Sequence, residues 1–199
     1  MTEMISRKEE VTMKHSFGFA LVATISLISG SAAAEDVVVV DQSILKQDVL
    51  AAQDAWCEAL VDISTTYAES GHEAAKALAA DIIDEAYAYQ MGTVLFKPTL
   101  AQKPDTFRMT REGALSYFVG GDSSFPDDSG FALEAWKECE PQNAGIFIDG
   151  KSAITMGKVH FADQDGEVTT VDKTWGFVRD DAGALRINLH HSSLEYQPD

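Results

Sequence analysis

Near the end of the chain, four neighbours, His190, His191, Ser192 and Ser193, bring together two imidazoles and two hydroxyls. An imidazole with an ordinary pKa of about 6.5 exchanges protons near neutrality. A hydroxyl both donates and accepts hydrogen bonds, so the set could position a water and take a proton from it. The four follow Leu185, Ile187 and Leu189, whose alternation marks a half-buried strand over 185–196. Successive strand side chains point to opposite faces, so His190 shares a face with Ser192 and His191 with Ser193. Continuing the apolar alternation aims His191 and Ser193 inward. A polar strand end whose side chains satisfy one another is the other reading of the same residues.

The elements that must carry this strand are legible upstream. Asp41 or Ser43 can cap a long helix with the apolar stripe Leu45, Val49, Trp56, Leu60, Ile63, Tyr67, which Gly71 ends. A second amphipathic helix is expected over 72–90 with Leu78, Ile82 and Ala86 inward, closed by Gly92. A short β-like run, 93–96, stops before Pro98, and Thr99 lies just beyond. Residues 110–119 read as a short helix capped by Thr110 and carrying Tyr117. The stretch 120–130 is a loop by composition, and its acidic residues read as a solvated turn. Strands are then expected over 131–138, 145–148, 152–161, 168–179 and 185–196, with hairpin signals at Asp149-Gly150, Asp165-Gly166 and Ala182-Gly183. Helices first and an antiparallel meander after make an α+β protein whose helices cover one face of the sheet.

At 199 residues the chain suits one domain with a well-filled core. The apolar run 17–30, followed by Ala32-Ala33-Ala34, reads as a secretory leader cut after about Ala34, with Met13 as a candidate true start. That leaves 35–199 as a single domain, periplasmic or secreted, with no membrane attachment after processing. The leader holds three basic and three acidic residues, so the mature domain keeps the net charge of −17. Such a surface repels phosphate backbones and argues against nucleic acid as a partner. Cys57 and Cys139 are the only cysteines. In an oxidising compartment they form either a helix-to-sheet disulfide or two separately buried thiols.

Four blocks carry a family resemblance: Leu95-Phe96-Lys97-Pro98-Thr99, Gly113-Ala114-Leu115-Ser116-Tyr117-Phe118-Val119-Gly120-Gly121, Asp172-Lys173-Thr174-Trp175-Gly176-Phe177 and His190-His191-Ser192-Ser193. In this order the sequence resembles the iota class of carbonic anhydrases, within the cone-shaped nuclear transport factor 2-like superfamily. That superfamily includes the association domain of calcium/calmodulin-dependent kinase II. The resemblance implies a cone of N-terminal helices on a curved antiparallel sheet, and reversible hydration of CO2 to bicarbonate. It implies Thr99, Tyr117, His190 and Ser192 as site residues, against the His191 and Ser193 of simple alternation. It also implies a homodimer.

Relatives of this class are described as metal-free in some cases and as zinc or manganese dependent in others. A catalytic zinc needs three converging His, Cys or carboxylate ligands. Adjacent strand histidines diverge, and no HExxH-like pair is present, so a site without cofactor is expected, with zinc or manganese as the alternative. Hydroxyls of Thr99, Tyr117 and a serine would then orient water and hold bicarbonate, His would accept the proton, and Trp175 and Phe177 would offer CO2 apolar walls. Two other classes share the fold: a non-catalytic binding or oligomerisation module, and another cofactor-free enzyme. The latter would want a buried acidic base, for which no carboxylate stands out.

Overall fold

The computed structural model describes residues 41–198. The expected leader and its processing point lie outside them. Helix α1 spans Lys46–Ser70. Its cap is Leu45, whose N–H donates to the Asp48 carboxylate, rather than Asp41 or Ser43. Val49, Trp56, Leu60 and Ile63 are buried as the periodicity requires, but Leu45 and Tyr67, expected in the same stripe, are exposed. Ile44 takes the buried place near the first turn, tied by its N–H to the carbonyl of Gly150. Two polar residues share the buried face. Gln53 exchanges hydrogen bonds with the Asn143 side chain and reaches Thr155, and Ser64 bridges the Glu134 carbonyl and the Trp136 N–H.

Helix α2, His72–Ala86, is shorter than expected because the chain turns extended at Tyr87, and the Ala88 N–H pairs with the Ile187 carbonyl. Its fully buried residues are Ala75, Ala79 and Ile83, with Leu78, Ile82 and Ala86 half-buried on the flank. Alanines let two helices approach closely, which rotates the contact face by one position from the one the larger side chains suggested. Strand β1 is Leu95–Lys97, and α3 is Arg111–Val119, capped by the Thr110 hydroxyl accepting from the Gly113 N–H.

The two strands expected over 131–138 and 145–148 are instead a 3-10 turn, Phe131–Leu133, followed by one 14-residue strand, β2, Trp136–Asp149. Pro141 does not interrupt it because β2 is the sheet edge, where a missing N–H faces no partner strand. Strands β3 (Ser152–Asp163), β4 (Val168–Arg179) and β5 (Leu185–Leu194) follow as expected, β5 ending before Tyr196. The order is β1-β5-β4-β3-β2. The meander is antiparallel, but β1 joins β5 in parallel, which makes the sheet mixed.

Cys57 and Cys139 form a disulfide from α1 to β2 across 82 residues of chain. Loss of that loop's entropy from the unfolded state stabilises the fold by about 4 kcal/mol in the chain-entropy model. In the acidic loop, Asp128 is not solvated. Its carboxylate receives the Arg108 guanidinium at 2.6 and 3.2 Å, with both side chains almost wholly buried. Among the described residues no helix is long and apolar enough to cross a membrane.

Candidate functional site

The site begins with a register change. Phe177 pairs with Ile187, but the next pair is Gly176 with Leu189, so Asn188 is an extra residue in β5. A bulge of this kind shifts every later side chain to the other face. Ile187 is inside, and after the bulge so are His190 and Ser192, 2% and 1% exposed. His191 points out, and Ser193 lies on its side. Continued alternation would have given the reverse. Gly176 makes the bulge fit, since a Cβ there would lie 2.7 Å from the Asn188 side-chain oxygen and 2.9 Å from the Leu189 Cβ.

Strand β4 presents Val171, Lys173, Trp175 and Phe177 to the same interior. Lys173 stands across from Ser192, and Trp175 across from His190. On the other side of β5, Phe96 of β1 pairs with His190 and stacks on its ring at 4.3 Å. The strand then delivers Lys97, whose amine donates to the Ser192 carbonyl at 2.9 Å, and Thr99, whose hydroxyl donates to the Ser192 hydroxyl at 2.6 Å. Helix α3 supplies Tyr117, wedged edge-on to Phe96 and stacked on Phe131.

The Tyr117 hydroxyl is buried and has no hydrogen-bond partner. Burial pushes its phenol well above the ordinary tyrosine range, and the neighbouring Leu100 and Thr99 groups draw it back only in part. These neighbours are close enough to act electrostatically but lie outside hydrogen-bonding geometry, so the hydroxyl remains a donor without an acceptor. The Ser116 hydroxyl and the Trp175 indole N–H are buried and unpaired as well. Buried polar atoms without partners are uncommon, and each calls for a physical reason such as a bound water or ligand.

His190 has both ring nitrogens engaged. Nδ1 meets the Tyr87 hydroxyl at 2.8 Å, and Nε2 meets the Lys173 amine at 2.5 Å. The Trp56 indole N–H donates to Tyr87 at 2.9 Å. The Lys173 amine also lies over the Trp56 ring at 4.4 Å and the Trp175 ring at 5.0 Å. Burial holds the His190 imidazole well below the usual histidine range, aided by the nearby Lys173 and His191. Burial alone drives the Lys173 amine well below the lysine range. His191, only part-buried, is lowered chiefly by burial and then by Lys97 and Lys173. His190 is therefore neutral at neutral pH.

The structure thus gathers Thr99, Tyr117, His190 and Ser192 around the inner end of β5. His191 and Ser193 instead line a depression on the outer face with Lys158, Asp172 and Thr174. Trp175 borders the cluster, while Phe177 faces a separate apolar cavity of about 270 Å³ with Trp56 and Ile187. His72 binds the Val119 carbonyl and His160 the Thr170 hydroxyl. Among the described residues no group of three His, Cys, Asp or Glu side chains converges as metal ligands. Sequence reasoning missed Lys173, Tyr87 and Trp56. The first was detectable, because the alternation of Val171, Trp175 and Phe177 puts position 173 inside and makes a lysine there anomalous.

Helices over one face of a sheet, enclosing a cluster of hydroxyls, an imidazole and an amine, define an α+β protein. Residues 47–194 match the family model of the metal-independent carbonic anhydrases, and the chain belongs to that family. It is 60% identical over 159 residues to a metal-independent carbonic anhydrase of Nostoc sp. (strain PCC 7120), covering 80% of this chain and 78% of that protein. It is also similar to the crystal structure of the iota-carbonic anhydrase from a cyanobacterium, complexed with bicarbonate. There the identity is 59% and the TM-score 0.80, covering 81% of this chain and 99% of that one. The family's description requires no metal of the site.

Proposed function

We propose that this protein catalyses the reversible hydration of CO2 to bicarbonate and a proton at the inner cluster on β5. The observation that carries the reading is the Thr99–Ser192 hydroxyl pair beside an unpaired Tyr117 hydroxyl, in a chain that belongs to a carbonic anhydrase family. In the forward direction the water oxygen bonds to the carbon of CO2, a C=O electron pair moves onto oxygen, and the water gives up a proton. Thr99 donates to Ser192, which leaves the Ser192 proton free to point at substrate and fixes the water's orientation. The Tyr117 phenol stays protonated and donates to the oxygen that gains charge, which is worth most in a site shielded from water. The released proton moves toward the buried group built on neutral His190, whose ring nitrogens bond Tyr87 and Lys173. No metal takes part in these steps.

Stopped-flow CO2 hydration by the mature protein, with and without chelator and with metal content measured, tests the reading. We expect activity that chelator leaves intact. Activity lost on chelation would move the chemistry to a metal, and no activity would leave a binding module.

The same proposal includes export, with processing near Ala34 and residues 35–199 as the mature domain in the periplasm or outside the cell. The Cys57–Cys139 disulfide supports it, since such bonds persist in oxidising compartments. It includes a homodimer as well. Phe147, Ile154 and Met156 form a contiguous exposed apolar patch on the outer face of the sheet, which a second copy would cover.

A further inference from the structure

A buried lysine without a carboxylate is expensive, and Lys173 is one. Its side chain is almost fully enclosed, and among the described residues no Asp or Glu pairs with it. Asp172, its neighbour on β4, points to the outer face toward Lys158. The groups that face the amine are His190 on β5, Trp56 on α1 and Trp175 on β4. Tyr87, beyond α2, reaches it only through His190, and Lys97 and His191 lie further out. Lys173 also stands directly across from Ser192, whose hydroxyl is bonded to Thr99. Opposed residues of an antiparallel pair have Cβ atoms about 5 Å apart, so the Lys173 side chain starts beside Ser192 and its amine ends on His190, the neighbour of Ser192 on the inner face of β5.

The hydrogen-bond polarity constrains its charge. The Trp56 indole only donates, so the Tyr87 oxygen accepts there. If Tyr87 gives its own proton to His190 Nδ1, the ring proton sits on Nε2 and donates to Lys173, which must then offer a lone pair as a neutral amine. If Lys173 is instead an ammonium donating to Nε2, the ring proton sits on Nδ1 and donates to Tyr87, whose own proton must rotate away without a buried acceptor. The first arrangement satisfies the Trp56, Tyr87 and His190 donors and leaves the amine N–H groups of Lys173 facing the two indole rings. The second becomes accessible once a proton is added, because two indole faces stabilise an ammonium in place of a counter-ion.

We propose that Lys173 is a proton acceptor for the hydration reaction, forming with His190 one buried amine–imidazole unit that takes up the proton released when water adds to CO2. This rests on the function proposed above. The water oxygen bonds to carbon, one water O–H bond breaks, and its proton ends on the unit, which then carries a single positive charge beside the nascent bicarbonate. A solvent buffer base removes that proton to complete the cycle. The unit holds one charge and not two, because a second would be an unpaired cation in a site that excludes water.

The test uses the wild-type mature protein, Lys173→Met and Lys173→Arg. Each is followed by stopped-flow hydration across pH and by NMR of the Lys173 side chain and the His190 ring nitrogens. We expect Lys173→Met to lower kcat about tenfold or more, with KM within about twofold, and to move the acidic limb of the kcat profile by about a unit. Lys173→Arg keeps a charge but cannot release it, and should not rescue the rate. In the wild type, the NMR titration of the Lys173–His190 unit should coincide with that limb. An unchanged kcat and profile in folded Lys173→Met, or full rescue by Lys173→Arg, overturns the inference. So does a Lys173 amine that stays charged from pH 6 to pH 10, a measurement that decides even if Lys173→Met fails to fold. Absence of hydration in the wild type would overturn the proposed function instead, which separates the two failures.

Discussion

The two faces of the β4–β5 hairpin carry the same residue types and opposite physics. His190 and His191 are consecutive, as are Ser192 and Ser193. The inward member of each pair is buried among aromatics, with its hydrogen bonds specified by Thr99, Tyr87 and Lys173. The outward members sit in an open depression beside Lys158 and Asp172, whose charges water can screen. Chemistry on this strand is therefore a property of the face rather than of the side chain. The face is chosen by a single inserted residue, Asn188.

The sharpest way to break this comparison is to make matching substitutions on the two faces. Thr99→Val and Ser192→Ala should each lower kcat by about ten- to a thousandfold, or 1.4 to 4 kcal/mol in the barrier. Ser193→Ala and His191→Ala should leave hydration within about twofold. Circular dichroism should show all four folded. Equal losses on both faces, measured by stopped flow, would end the distinction.

Much of this was legible in the residues. The hairpin turns, the α+β order and the alternation of Val171, Trp175 and Phe177 follow from local pattern, and Thr99 and Ser192 came from short motifs that the structure brings to 2.6 Å. What was not legible depends on partners distant in sequence. The bulge at Asn188 is a relation between two strands, and the parallel docking of β1 is decided by where α2 stops. Helix α2 itself stops early because Tyr87 is wanted by Trp56 and His190, both far away in sequence. Gln53 and Ser64 look like solvent-facing residues until β2 supplies their partners.

The frame should be separable from the site. Replacing both Cys57 and Cys139 by Ala should lower unfolding stability by about 4 kcal/mol, read from denaturant midpoints, while kcat changes little. The bridge joins α1 to β2, the sheet edge farthest from β1 in the strand order. A large loss of kcat in a protein that remains folded would tie the site to that end of the sheet.

A smaller effect on stability should reach further into the site. Gly176→Ala puts a methyl group against Asn188 and Leu189, and overpacking of this kind costs about 1 to 3 kcal/mol. Because Asn188 sets which face His190 and Ser192 occupy, kcat should fall more than stability alone explains, with folded protein present at the assay temperature. A Gly176→Ala protein with wild-type kcat would show that the bulge tolerates crowding and that the glycine serves backbone packing alone.

The smallest effect is a pH dependence that distinguishes the two histidines. The folded pKa of His190 is lowered, so below the unfolded-state value of about 6.5 the unfolded chain binds a proton that the folded chain refuses. Stability is then present above about pH 6.5 and is lost as pH falls toward the lowered folded value, by at most 1.36 kcal/mol per pH unit for one such group. Lowered carboxylates such as Asp84 and Asp180 act in the same direction but only near pH 4 and below, so the interval from pH 6.5 to 5 reports the buried His190 and the Lys173 amine bonded to it. His191→Ala should keep most of that slope, because its own lowering is modest and its ring lies outside. His190→Gln, which cannot titrate, should flatten it. Denaturant midpoints at pH 5, 5.75 and 6.5 would measure the slopes, and equal slopes in the two variants would mean that burial on the inner face does not hold His190 neutral.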